Sequence, residues 1–367
     1  MSVARSFFYR SFGASPARAA MVWAVIAFLL NQLLEFVVMS QQGRAYSDLC
    51  QWDCKWYTGI VQGGYDLEPH AHGKQDAANW AFFPAFPLLA NVFSVGLGIA
   101  PAASLVLVSK LCFLAAIYAF VRLVTTLDAR VKPPVAALVL GLSPYAIYGN
   151  VGYTESLFLL VSCCYFLALE SKRFVLAGLL GGALGSVRVA GVAAIPAHVI
   201  ALWGDFWRGR VDQRLRILLS VMLLPLGLSL FMWFLHAHTG DALAFSHIQL
   251  AWGRVPESPV GHFLAGLHGT AVNQLRVAMV IGVAAVIVWL LATRRYPMAI
   301  FSLICTVLPL TTGLWAIPRY IWWQAPVLFA IAVLISHRKL WVLYLPLSAA
   351  ATAFIYKAWF TGKAFVV

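Results

Sequence analysis

Long apolar runs, broken only by short polar or basic segments, fill almost the whole chain. They fall at 19–39, 81–99, 102–121, 133–149, 154–169, 174–203, 217–236, 274–293, 297–316, 320–336 and 340–356. A helix needs about 20 apolar residues to span the hydrocarbon of a bilayer. Runs of this kind, one after another, can fold into only one class of structure: an all-α polytopic membrane bundle of about ten or eleven transmembrane helices. Only 11% of the 367 residues are charged and 62% are hydrophobic, which excludes a soluble globule, a disordered chain and a coiled coil. The whole of 1–367 reads as one integral membrane domain.

The formal net charge of +13 would suggest nucleic acid in a soluble protein. Here the basic residues punctuate the apolar runs, as Arg130 with Lys132, Lys172 with Arg173, Arg208, Arg210, Arg214 and Arg216, Arg294 with Arg295, and Arg338 with Lys339. That pattern marks cytoplasmic loops, and no nucleic-acid partner is expected. Arg5, Arg10 and Arg18 precede the first run. The run is too long for a signal-peptide core, so it reads as a retained helix with a cytoplasmic N-terminus.

Two polar stretches then fall on the external side, 40–79 and 236–273. The first holds Asp48, Asp53, Asp66, Glu68 and Asp76. With that loop outside and 122–132 inside, an odd number of crossings must separate them, yet two apolar runs lie between. The preferred solution is that the Phe82-to-Phe93 segment, with Pro84 and Pro87 near its start, does not fully span. Conversely, 174–203 is too long for one span. Glycines 181, 182, 185 and 191 surround Arg188, so two short helices meeting near Arg188 are expected.

Ionisable groups in or against a membrane are functional candidates. The first external loop concentrates them in Gln51-Trp52-Asp53-Cys54-Lys55-Trp56-Tyr57-Thr58-Gly59-Ile60. As a helix, this string puts Asp53 one turn from Tyr57 on the face of Trp56 and Ile60. A carboxylate among aromatics suits general-base chemistry, and the rings suit the apolar face of a sugar. The plainer reading is an interfacial aromatic belt with a solvated acid. Cys50 and Cys54 sit at helical spacing, where a disulfide is possible but strained in a helix. Cys112, Cys163, Cys164 and Cys305 lie in apolar runs and read as small core residues. A metal site can be drawn from His70 and His72 with Asp66, Glu68 and Asp76, but it is not favoured, and neither metal nor cofactor is expected.

Several strings together resemble the phosphatidylinositol-glycan class V family. They are Trp52-Asp53-x-x-Trp56-Tyr57-x-x-Ile60, Gly64-Tyr65 and Ala81-Phe82-Phe83-Pro84-Ala85-Phe86-Pro87-Leu88-Leu89. In order behind them come Ser143-Pro144, Tyr153-Thr154-Glu155-Ser156-Leu157-Phe158, Gly185 to Gly191 around Arg188, Phe245 to Trp252, and Ile317-Pro318-Arg319-Tyr320. The resemblance runs from about residue 52 to residue 330. The Arg188 element departs from the family's Arg-Ser-Asn-Gly pattern, since Val-Ala-Gly follows the arginine here.

The resemblance implies an inverting glycosyltransferase of the GT-C type, with the catalytic acid in the first external loop. Its donor is a polyprenyl- or dolichyl-phosphate sugar, typically mannose, and its acceptor a lipid-linked or other glycan. A donor that arrives within the bilayer needs no nucleotide-binding glycine loop, and none is found. Asp53 is then the base that takes the proton of the acceptor hydroxyl. Arg319 and Arg188 are candidates for the donor phosphate. Trp52, Trp56, Tyr57, Tyr153, Glu155, His247, Gln249 and Trp252 are candidates for sugar or acceptor. Each has a plainer alternative: snorkelling for Arg319, a structural pair with Glu155 for Arg188, a helix-start acid for Glu155, loop packing for His247, Gln249 and Trp252.

The rival function is a transporter or flippase for lipid-linked sugars. It predicts ion pairs at the bilayer midplane and repeated halves, whereas here the acids cluster in a loop and no repeat is visible. A structural membrane subunit is the third reading and predicts no strict need for Asp53. Length and alanine-rich style fit a bacterial inner-membrane protein with a periplasmic site.

Overall fold

The computed structural model describes residues 15–69, 76–255 and 257–363. Among them every regular element is helical. The first helix, α1 (Pro16–Gln41), starts where Ser15 caps it: the Ser15 hydroxyl accepts from the Arg18 N–H, and Pro16 fills the first helical position. Its buried positions, Ala20, Ala24, Ala27, Asn31, Glu35 and Val38, recur at helical spacing. Val22, Leu29, Leu33 and Phe36 on the other side are exposed, as lipid-facing residues should be.

The polar segment 40–79 contributes α2 (Asp53–Gly63), which is followed by α3 (Ala85–Leu97). The latter has 13 residues and so a length of about 20 Å, short of the ~30 Å hydrocarbon thickness. The helix at the centre of the bundle is α4 (Pro101–Leu127), most of which is buried. Then come α5 (Pro133–Gly141), α6 (Glu155–Glu170) and α7 (Phe174–Val187).

Arg188 is extended (φ −158°, ψ 150°) and ends α7; a 3-10 turn, Val189–Ala193, leads into α8 (Ala194–Arg208). The long run is thus two helices meeting at Arg188, as expected. Next are α9 (Val211–Leu223) and α10 (Leu226–Thr239). Here the glycines serve packing. A Cβ on Gly178 would lie 2.4 Å from the Ser220 carbonyl oxygen, and one on Gly182 would lie 2.3 Å from that of Leu223. Only glycine lets the two backbones approach so closely.

The polar segment 236–273 carries α11 (Ala244–His247) and α12 (Pro259–Leu267). The chain closes with α13 (Ala271–Ala292), α14 (Tyr296–Leu310), α15 (Ile317–Ile321), α16 (Ala325–His337) and α17 (Trp341–Phe360). Five segments are long and apolar enough to cross a membrane: α1, α4, Val189–Arg208, Val211–Thr239 and α13. Four apolar helices, α3, α7, α14 and α16, are shorter. The expected apolar runs are therefore present as helices, but not all as uninterrupted spans. Proline near the start of α3 and the break at Arg188 shorten them.

A buried ion pair joins α1 and α4. Lys110 on α4 donates to Glu35 on α1 at 2.6 Å, and both are under 10% exposed. Tyr356 on α17 donates to Glu35 at 3.3 Å and accepts from Asn150 at 2.8 Å. The network ties three helices together with its charges neutralised, the condition under which buried ions persist. Glu35 lies about 9 Å from the C-terminal end of α1, off the centre of that helix.

Candidate active site

Asp53 opens α2, and the backbone before it is unusual. Trp52 adopts φ 46°, ψ −111°, a region that L-residues rarely occupy and that persists only when neighbours enforce it. Three contacts enforce it. The Trp52 indole packs edge-on against Trp359 at 4.5 Å. The Asp53 N–H donates to the Tyr153 hydroxyl at 3.2 Å. Cys50 and Cys54 are joined by a disulfide with Cα atoms 5.2 Å apart.

The bridge corrects the sequence expectation of strain. Cys50 lies before the helix rather than in it, because the turn at Trp52 separates the two cysteines. Gly152 makes room for the bridge: it has φ +75°, and a Cβ there would lie 2.6 Å from the Cys54 sulfur.

The Asp53 carboxylate pairs with Arg319 and is linked through it to Glu155 and Arg188, all from distant parts of the chain. Arg319 Nη1 donates to Asp53 Oδ2 at 2.8 Å, and Arg319 Nε donates to Glu155 Oε1 at 2.7 Å. Arg188 Nη1 lies 3.1 Å from the same Glu155 oxygen. Glu155 is fully buried, and its Oε2 has no hydrogen-bond partner among the described residues. Burial alone would weaken the Arg319 cation, but Glu155 and Asp53 more than offset that and hold it well above its ordinary pKa. Its guanidinium also lies 4.5 Å from the Tyr153 ring centre, and that of Arg188 lies 4.1 Å from Tyr320. Both rings add cation–π attraction in a desolvated setting.

This cluster lies at one side of a cavity that residues of both polar segments, 40–79 and 236–273, help to line. Asp53, Tyr57, Arg188, Gln249, Trp252 and Arg319 all line it. Aromatic contacts join the loops: Trp56 stacks on Phe82 at 5.7 Å and meets Trp252 edge-on at 5.3 Å. Burial, with Asp53 beside it, pushes the Tyr57 phenol above its usual range, so Tyr57 remains a neutral donor. The cavity thus combines a carboxylate, guanidinium groups and flat aromatic faces, which is what sugar-phosphate chemistry requires.

The family model for Mannosyltransferase (PIG-V) matches residues 18–254. The chain belongs to that family. The match takes in Asp53, Glu155, Arg188 and the Gln249–Trp252 segment, while Arg319 lies beyond it. No curated protein matches the chain. Among solved structures, the Archaeoglobus fulgidus oligosaccharyltransferase, crystallised as a complex with Zn and sulfate, aligns at 13% identity and a TM-score of 0.48. That alignment covers 93% of this chain and 53% of the oligosaccharyltransferase, so the chain spans about half the length of that protein.

Not every predicted PIG-V-family site residue reaches the cavity surface. Glu155, which pairs with Arg319 and Arg188, Tyr153, whose hydroxyl accepts from the Asp53 N–H, Trp52, which packs on Trp359, and Trp56 are not among the lining residues. His247 pairs with Asp241 at 2.6 Å in a neighbouring depression that Asp76 and Trp80 also line. His70 and His72 lie outside the described residues. Sequence reading missed one lining residue of consequence: Arg254, which donates to Gln249 Oε1 at 2.9 Å. It makes no ion pair among the described residues. Its signal was an arginine in a segment that the sequence is expected to place outside, where the positive-inside pattern disfavours one.

Proposed function

We propose that the chain transfers mannose from a polyprenyl-phosphate donor to a hydroxyl of a lipid-linked or other glycan acceptor, on the external face of the membrane. The observation that carries this is the Asp53–Arg319–Glu155–Arg188 cluster facing a cavity enclosed by the two external loops. Three arginines border the cavity against Asp53 and the buried Glu155, leaving Arg254 without a carboxylate. A phosphate entering there would meet uncompensated positive charge.

In this reading the acceptor oxygen attacks the anomeric carbon of the donor, and Asp53 takes the hydroxyl proton. Its Oδ2 is held by Arg319, and Oδ1 is the oxygen that accepts. The bond from the anomeric carbon to the phosphate oxygen breaks in the same step, so the product is inverted. Negative charge grows on the departing lipid phosphate, and Arg254, with the outer donors of Arg319 and Arg188, stabilises it. Tyr57 and Trp252 provide surfaces for the sugar. The GT-C type of the enzyme and its external orientation belong to the same proposal. A disulfide beside Asp53 supports the orientation, because such bonds persist in oxidising compartments.

The donor is tested with purified protein in lipid vesicles, cell lipid extract as acceptor, and two mannose donors: a short-chain polyprenyl phosphate and a nucleoside diphosphate. Mannosylated lipid should form from the first alone. Turnover of the nucleotide donor at an equal rate would overturn the assignment.

A further inference from the structure

A second arginine site lies outside the cavity. Arg276 is in the second turn of α13, next to the second external loop, about 8 Å along the helix axis from its start. Its neighbour Leu275 is 55% exposed, whereas Arg276 is 3% exposed. Nη1 donates to Asn273 Oδ1 at 3.2 Å, and the guanidinium lies 4.9 Å from the centre of the Trp315 ring. Nε and Nη2 have no partner, and no carboxylate pairs with Arg276, among the described residues. The contrast with Arg188 and Arg319, which share Glu155, is sharp. A guanidinium withdrawn from water without an anion is costly, and an ionisable group in a membrane helix is a functional candidate.

The missing partner has a definable chemistry. A planar fork with Nε and Nη2 both free matches two oxygens of one phosphate. The ring that covers the guanidinium selects the source. Trp315 is 60% exposed, and tryptophan is the residue type enriched at the level of lipid headgroups. A phosphate borne on a lipid can reach this position laterally. The site is separate from the reacting cluster but adjacent to it: Ala316, the residue after Trp315, lines the cavity together with Arg319. On the far side, Tyr145 and Tyr148 stack at 6.1 Å, and Tyr148 lies 5.2 Å from the Arg319 guanidinium.

We propose that Arg276, covered by Trp315, binds the phosphate of a membrane lipid headgroup, as a site distinct from that of the sugar donor. It stands without the transferase reading, because binding requires no turnover. If that reading also holds, this is the position at which a phosphate-anchored acceptor lipid would be held beside the cavity.

The test uses the full chain, delipidated in detergent, as wild type, Arg276→Gln and Arg276→Lys. Short-chain phosphatidic acid, the matching diacylglycerol and inorganic phosphate are titrated, with thermal midpoint and intact-complex mass as readouts. Phosphatidic acid should bind wild type saturably at one site and raise its midpoint, whereas diacylglycerol should do neither. Arg276→Gln should bind phosphatidic acid about 10- to 100-fold more weakly, the scale of lost charged hydrogen bonds, with Arg276→Lys between. Without lipid, the glutamine variant should melt no lower than wild type, because the arginine it replaces is unpaired. Equal binding by all three proteins, or no saturable binding to wild type, overturns the proposal. Inorganic phosphate binding as tightly as phosphatidic acid would overturn the lipid source and leave a free-phosphate site.

Discussion

Arg319 Nη1 sits 2.8 Å from Asp53 Oδ2 across 266 positions of sequence, so the last third of the chain fixes the orientation of the acid that opens α2. The same guanidinium reaches Glu155 through Nε, and Glu155 in turn holds Arg188. Four charged side chains from four elements form one unit. Removing any one should be felt by the others.

Glu155 is the buried anion that Arg188 and Arg319 share. Glu155→Ala should cost about 3–5 kcal/mol, because it strands the desolvated Arg188 cation and leaves Arg319 with Asp53 alone. It should also abolish transfer. Thermal unfolding in detergent checks the first point, and a midpoint equal to wild type would show that the cations find other partners.

Arg254 should matter through the donor alone. Arg254→Gln should lower kcat/KM for the lipid-phosphate donor by about 10- to 100-fold, the loss expected for a charged hydrogen bond. The midpoint should be unchanged, since the side chain makes no ion pair among the described residues. An unaltered kcat/KM would remove Arg254 from the phosphate site.

Reducing the Cys50–Cys54 bridge should loosen the turn that presents Asp53. Cys50→Ser with Cys54→Ser should cut kcat by roughly ten- to a hundredfold, the penalty for small misplacement of a reacting group. Folding should survive, as the bridge closes only four residues and constrains the unfolded chain little. Full activity after reduction would make the bridge incidental.

Gly152 is required by both its backbone and its neighbour. Gly152→Ala places a Cβ in a left-handed conformation and within 2.6 Å of the Cys54 sulfur. The expected cost is about 1–3 kcal/mol, read as a lower midpoint, together with reduced activity because Tyr153 is the next residue. A midpoint at or above that of wild type would contradict it.

Much of this was legible in the sequence. The apolar run 19–39 marks α1, and the glycines around Arg188 mark the break between α7 and α8. The Trp52-to-Ile60 string marks the acid. What could not be read is geometry set at a distance. The disulfide depends on the turn at Trp52, which Trp359 and Tyr153 hold from far along the chain. The pairing of Arg188 and Arg319 through one carboxylate depends on three helices meeting. Arg254 and Arg276 were hidden because an isolated arginine between apolar runs looks like any other loop or helix-end cation until burial and missing partners are known.

The central claim is that Asp53 is the base for sugar transfer. Its most direct test is mannosyl transfer from polyprenyl-phosphate mannose by wild type and Asp53→Asn, each shown to be folded by its melting curve. The asparagine keeps the shape of the side chain but cannot take the proton. Transfer should fall by at least about 10²- to 10⁴-fold with donor binding retained. Wild-type turnover by folded Asp53→Asn would contradict the assignment.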